Sequence, residues 1–118
     1  MAGLVAAGKN LMLTGFTGSA THVSLHTADP STNGGSEVTG GSYTRESSAW
    51  GSPSNGTVTN STAIVFDVPG STTITHLGYW SASSGGTFYG SRALDTSQTY
   101  ATAGTYTIAI GNLSESVS

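Results

Sequence analysis

Chemistry in this chain falls to three histidines, six carboxylates and its aromatic rings, because it contains no cysteine. His22 and His26 share one face of an expected strand. At ~3.3 Å per extended residue they stand about 13 Å apart, too far to ligate one metal ion. Asp29 joins them only through a sharp turn. His76 sits in a run of aromatic and β-branched residues and reads as a hydrogen-bonded core or interface residue rather than a base. The carboxylates Asp29, Glu37, Glu46, Asp67, Asp95 and Glu115 are scattered, so a glycosidase pair exists only if the fold assembles one. There is no Gly-x-Ser-x-Gly elbow and no thiol nucleophile. The pairs Gly34-Gly35, Gly40-Gly41 and Gly85-Gly86 lack the lysine and following helix of a phosphate loop. Asn55, Asn60 and Asn112 open glycosylation triplets, which arise by chance in a chain this rich in Ser and Thr. No catalytic residue, metal or cofactor is expected.

The aromatic residues offer contact rather than reaction. Tyr43 and Trp50 flank a long glycine-rich loop, residues 31–41, and Tyr79, Trp80 and Tyr89 lie close together further on. Aromatic rings among hydroxyls suit carbohydrate stacking and protein interfaces alike. Trp80 and Phe66 read as core. Tyr43, Trp50, Leu77, Tyr79 and Tyr89 are the candidate interface or glycan contacts.

The element that must position most of these is a hairpin over residues 73–94, turning at Ser83-Ser84-Gly85-Gly86. Its expected register sets Ala82 against Thr87, Trp80 against Tyr89, Gly78 against Ser91, Leu77 against Arg92 and His76 against Ala93. Neither face is plainly polar, so both should be covered, one of them by a neighbouring chain. Residues 2–13 carry Leu4, Ala7, Leu11 and Met12 near the 3.6 period, with Gly15 as the stop, and form a short helix or a docking arm (residues 1–15). Residues 21–27 alternate, with Val23 and Leu25 on one face, and Asp29-Pro30 breaks the run. A strand over 42–48 carries Tyr43 and Arg45. Residues 58–68 and 105–113 alternate clearly, with Ile64, Phe66 and Val68, then Tyr106, Ile108 and Ile110, pointing inward. Residues 95–104 read as a polar connection. About six or seven short strands at this spacing give one mainly β domain, an antiparallel β-sandwich with a short N-terminal helix.

Only 8% of the 118 residues are charged, and the formal net charge is −3 with three Lys and Arg in total. That excludes nucleic acid, whose phosphates demand clustered cations, and a basic membrane patch. No stretch approaches the ~20 apolar residues of a membrane span. The start lacks a basic leader, and Lys9 and Asn10 interrupt the apolar run, so no export signal is expected and synthesis occurs in a cytoplasm. So little charge fits part of a larger assembly better than a free cytoplasmic protein, where about 25% is usual.

Five runs, in order, carry a likeness: Val23-Ser-Leu-His-Thr-Ala-Asp-Pro30, Ser36-Glu-Val-Thr-Gly-Gly-Ser-Tyr-Thr-Arg45, Phe66-Asp-Val-Pro69, Thr75-His-Leu-Gly-Tyr-Trp-Ser-Ala82 and Gly85-Gly-Thr-Phe-Tyr-Gly90. Together they resemble a small virion protein family of tailed bacteriophages, usually labelled tail fibre or minor tail protein. The resemblance implies a non-enzymatic structural protein carried on the virion, most readily as a tail appendage. It implies partners among other virion proteins and copies of itself, as a homo-oligomer. Two alternatives stay open: a capsid decoration protein binding capsomers, and a host-glycan-binding module acting through Trp50, Tyr43 and residues 31–41.

Overall fold

The computed structural model describes residues 3–117. It runs α1 (Ala6–Ser19), β1 (His22–His26), β2 (Glu46–Ser47), β3 (Thr57–Thr59), β4 (Ile64–Val68), β5 (Thr72–Trp80), β6 (Phe88–Tyr100), β7 (Gly104–Ile108) and β8 (Ser114–Ser116). All pairings are antiparallel: a four-stranded sheet in the order β2-β1-β5-β6, and the two-stranded pairs β4–β7 and β3–β8. Alternation places the core. Ile64, Phe66 and Val68 of β4, with Ile108 of β7, pack against Val23 and Leu25 of β1 and Ile74, Leu77 and Tyr79 of β5. Each such buried aliphatic or aromatic side chain contributes roughly 1.5–3 kcal/mol. The result is the expected mainly β, antiparallel fold with one short N-terminal helix, in eight strands rather than six or seven. No helix among the described residues is long and apolar enough to cross a membrane.

Several local expectations change. The helix begins at Ala6, runs through Gly15 to Ser19 and turns Leu13 and Phe16 inward, leaving Leu11 and Met12 exposed. Anchorage decides the face: Asn10 Oδ1 accepts the Gly56 N–H at 2.9 Å, and Ala20 N–H closes the last turn on Phe16 O at 2.7 Å. Residues 1–2 of the expected helix lie outside the described residues. The strand over 42–48 shrinks to Glu46–Ser47, and β6 continues to Tyr100 through the expected polar connection.

Within the hairpin, Gly78↔Ser91, Leu77↔Arg92 and His76↔Ala93 pair as expected. Trp80 faces Phe88 instead of Tyr89, after a bulge, and Ser81 rather than Ala82 bonds to Thr87 O. The absent Cβ of Gly78 allows this, since one there would lie 3.1 Å from the Phe88 ring and 2.5 Å from Ser24 Oγ.

Asn60 explains why the two longest alternating runs each break in two. It is buried and acts as a bracket: Nδ2 donates to Thr62 O (2.8 Å) and Ala109 O (3.0 Å), and Oδ1 accepts the Leu113 N–H (3.0 Å). The chain turns around this amide after β3 and again after β7, so Ile110, expected inside, is 67% exposed. Asn60→Ala leaves three backbone groups without their partner. We expect a loss of roughly 2–4 kcal/mol in urea unfolding, whereas an unchanged midpoint would remove Asn60 from this role.

Candidate functional site

The five candidate contact residues do not form one surface. The structure divides them between the two covers of the β5–β6 hairpin. On the Trp80 face the cover is the loop between β1 and β2, expected to lie free at the surface. Gly34 lies directly on the indole, where a Cβ would sit 2.5 Å from the ring, and its φ of +73° suits only glycine. Arg45 locks this loop down. Its Nε and Nη2 donate to the two Glu37 carboxylate oxygens at 3.0 Å each, a bidentate pair. Its Nη1 donates to Ala82 O (3.1 Å) and Gly85 O (2.8 Å) in the hairpin turn. Its guanidinium carbon stands 3.7 Å from the Trp80 ring centroid. Tyr43 completes the group: its hydroxyl donates to Glu37 Oε2 at 2.9 Å and accepts the Leu25 N–H at 3.0 Å, and its ring stacks on Phe66. Burial first, then the Glu37 charge, pushes the Tyr43 hydroxyl above its ordinary range, so it stays a neutral donor.

Beneath the loop runs a buried chain of polar groups. Trp80 Nε1–H donates to Ser24 Oγ at 2.8 Å, Ser24 Oγ lies 2.6 Å from His26 Nε2, and His26 Nδ1 lies 2.7 Å from Gly35 O. A carbonyl only accepts, which assigns the proton to Nδ1 and leaves Nε2 to take the Ser24 hydroxyl. Burial, first among the causes, lowers the pKa of this imidazole and so favours its neutral form. A serine this close to a histidine resembles a nucleophile with its base. Both residues are fully buried and the serine oxygen already accepts the indole, so the pair is packing and no substrate reaches it.

The opposite face is covered by α1 and the segment after β2. Phe16 stands edge-on to Tyr79 at 5.2 Å and to Trp50 at 5.7 Å, and Trp50 Nε1 donates to Ala20 O at 3.2 Å. The Tyr79 hydroxyl donates to the Glu115 carboxylate, which faces Arg92 at 3.5 Å. Burial, then Glu115, raises the Tyr79 pKa. Leu77, Tyr79 and Trp80 are thus all buried within one chain, and the expectation that a neighbour must cover the hairpin is overturned for them. The covers were illegible because they are built from glycine, an ion pair and half-buried aromatics rather than an apolar stripe. Tyr43 and Trp50 are half-buried and hydrogen-bonded inward, while Tyr89 stays 45% exposed beside Met12.

The outer face of α1 is also open, as are Val65 and Ile110. Leu11, Gly15 and Gly18 lie on this helix face at spacings of four and three, with Gly8 on the same side beneath the Leu4 side chain. Leu11 is 75% exposed, and no other part of the chain comes within 4 Å of a Cβ built at Gly15 or Gly18.

Residues 10–116 match the family model described as Podophage GP4 fiber I protein gp80, from the first half of α1 through β8. No curated protein matches the chain.

Two outcomes follow from the hairpin cover. Arg45→Lys loses the bidentate geometry and the stacking while keeping the charge. We expect a loss of about 1–3 kcal/mol in urea unfolding, with changed Trp80 fluorescence; no change in either would show that the guanidinium fork is dispensable. Between 6.5 and the lower folded pKa of His26, the unfolded chain binds a proton that the folded chain refuses. Stability from this group is complete above that window and falls with pH inside it. Melting temperature should drop between about pH 7 and pH 5, and His26→Gln should flatten that drop; an equal drop in both proteins would show that His26 is uncoupled from folding.

Proposed function

We infer that this chain, which belongs to the podophage GP4 fibre I protein family, is a non-catalytic structural component of a tailed-phage virion, held on the particle as part of a tail appendage. The observation that supports this most is the α1 seam. This stripe sets Leu11, 75% exposed, among small residues, a face that copies packing side by side would cover. The glycines let two backbones approach closely, and the helix carries a single charge, Lys9, outside the seam. The partner of this face is a second copy of the chain.

The fold suits such a part. Among the described residues no buried side-chain nitrogen or oxygen lacks a hydrogen-bond partner. A body of this kind holds one shape under load, which is what a repeated structural unit needs.

Sedimentation of the isolated protein should show self-association that Leu11→Asp abolishes, with an unchanged circular dichroism spectrum. Because Leu11 is exposed, the substitution should alter unfolding free energy by no more than about 0.5 kcal/mol. A monomer at high concentration would refute the seam. Placement has its own test: cryo-electron microscopy of the whole particle should find this fold on the tail. Density on the head shell would make it a decoration protein instead.

A further inference from the structure

The longest strand also holds the largest irregularity. In the β5–β6 ladder, His76 faces Ala93 and Ile74 faces Gln98, so Leu94, Asp95, Thr96 and Ser97 stand against Thr75 alone. Such an insertion breaks ladder bonds, and bulges commonly re-aim side chains toward a site. Here Leu94, Asp95 and Thr96 form one wall of a cleft of about 440 Å³, closed on the other side by β7 and the turn at Asn112. That size falls within the ~300–1,000 Å³ of small-molecule clefts.

The lining has a definite chemistry. Leu94 and the half-buried ring of Tyr106 supply apolar walls, and Asp95, Gln98 and Asn112 stand around them. Among the described residues, the Asp95 carboxylate, the Tyr106 hydroxyl and the Asn112 amide make no side-chain hydrogen bond, and Gln98 reaches only Thr96 O at 3.4 Å. Arg92 also borders the cleft, yet its guanidinium is held by Ser114 O and Glu115. The cleft therefore offers a carboxylate, two amides and a phenol, with no free cation for a phosphate or carboxylate ligand. Carboxylates and amides bridge neighbouring hydroxyls, and a ring face receives the C–H side of a sugar.

We propose that the cleft between the β6 bulge and β7 binds an uncharged hexose unit of a polysaccharide, with Asp95 and Asn112 holding adjacent hydroxyls and Tyr106 lying along the ring. This site is distinct from Tyr43, Trp50 and residues 31–41, which face the hairpin. It stands on the cleft alone and needs neither the tail placement nor the α1 seam.

The test is a nitrogen-edited NMR titration of the full chain with glucose, galactose, mannose, rhamnose and N-acetylglucosamine, each taken to high millimolar concentration. A single ring in an open cleft binds weakly, so saturable millimolar shifts are expected. They should fall on residues 94–98, Tyr106, Thr107 and Asn112 for at least one sugar. Asp95→Ala and Asn112→Ala should each weaken binding by about tenfold or more, the effect of one lost strong hydrogen bond. Tyr106→Phe should retain most of it. The same spectra report whether each variant is folded. No saturable shift with any of the five sugars, shifts unaffected by both alanine variants, or shifts confined to Tyr43, Trp50 and residues 31–41 would overturn the proposal.

Discussion

A single guanidinium ties the loop between β1 and β2 to the hairpin turn. Arg45 is anchored on Glu37 within its own loop, stacked on Trp80 and hydrogen-bonded to two carbonyls of the hairpin turn. Little of its side chain is exposed, so the ion pair is shielded from solvent and salt and every donor has to be placed. With that group seated, Gly34 rests on the indole and the Ser24–His26 chain closes beneath it. The loop between β1 and β2 then serves as a third layer over the sheet. This constraint takes Leu77, Tyr79 and Trp80 out of reach of neighbours, while Leu11, Met12, Val65, Tyr89 and Ile110 stay exposed.

The polar groups tell a related story. Of the three cationic side chains, Arg45 and Arg92 are paired with Glu37 and Glu115, and the stem of Lys9 lies against Gly56. The surface available for recognition consists of hydroxyls, amides, aliphatic groups and a few carboxylates such as Asp95, with no cluster of cations. Such a surface associates by packing and short hydrogen bonds and has little reach at a distance.

Parts of this architecture were plain in the residue order, and the reasons are local. The alternation of Ile64, Phe66 and Val68 and of Val23 and Leu25 fixed which faces are buried, because one side of each strand meets the core. The pairing of His76, Leu77 and Gly78 matches the expected register because the bulge at Tyr89 offsets the one-residue shift next to the turn. What escaped was everything set by distant polar contacts. Asn60 falls inside the alternating run 58–68 and reads only as the start of a chance glycosylation triplet, yet its amide splits two strands. Residues 95–100 carry no apolar rhythm, so the outer half of β6 passed for a connection. The helix showed its period but not its side, since Asn10 rather than a leucine selects the buried face. Of the contact candidates, Leu77 and Tyr79 are buried and Tyr43 and Trp50 are half-buried and turned inward, which composition alone does not reveal. Asp95, Tyr106 and Asn112 were passed over because they are brought together only by the bulge.

The central claim is that one chain closes both faces of its own hairpin. Amide hydrogen exchange along β5 and the inner half of β6, followed over a wide dilution series, tests it directly. Protection at residues 76–80 and 88–93 should stay constant as the protein is diluted, even where association through α1 is lost. Protection that collapses on dilution would mean that the hairpin is sealed by neighbours and that the Arg45 loop is not its cover.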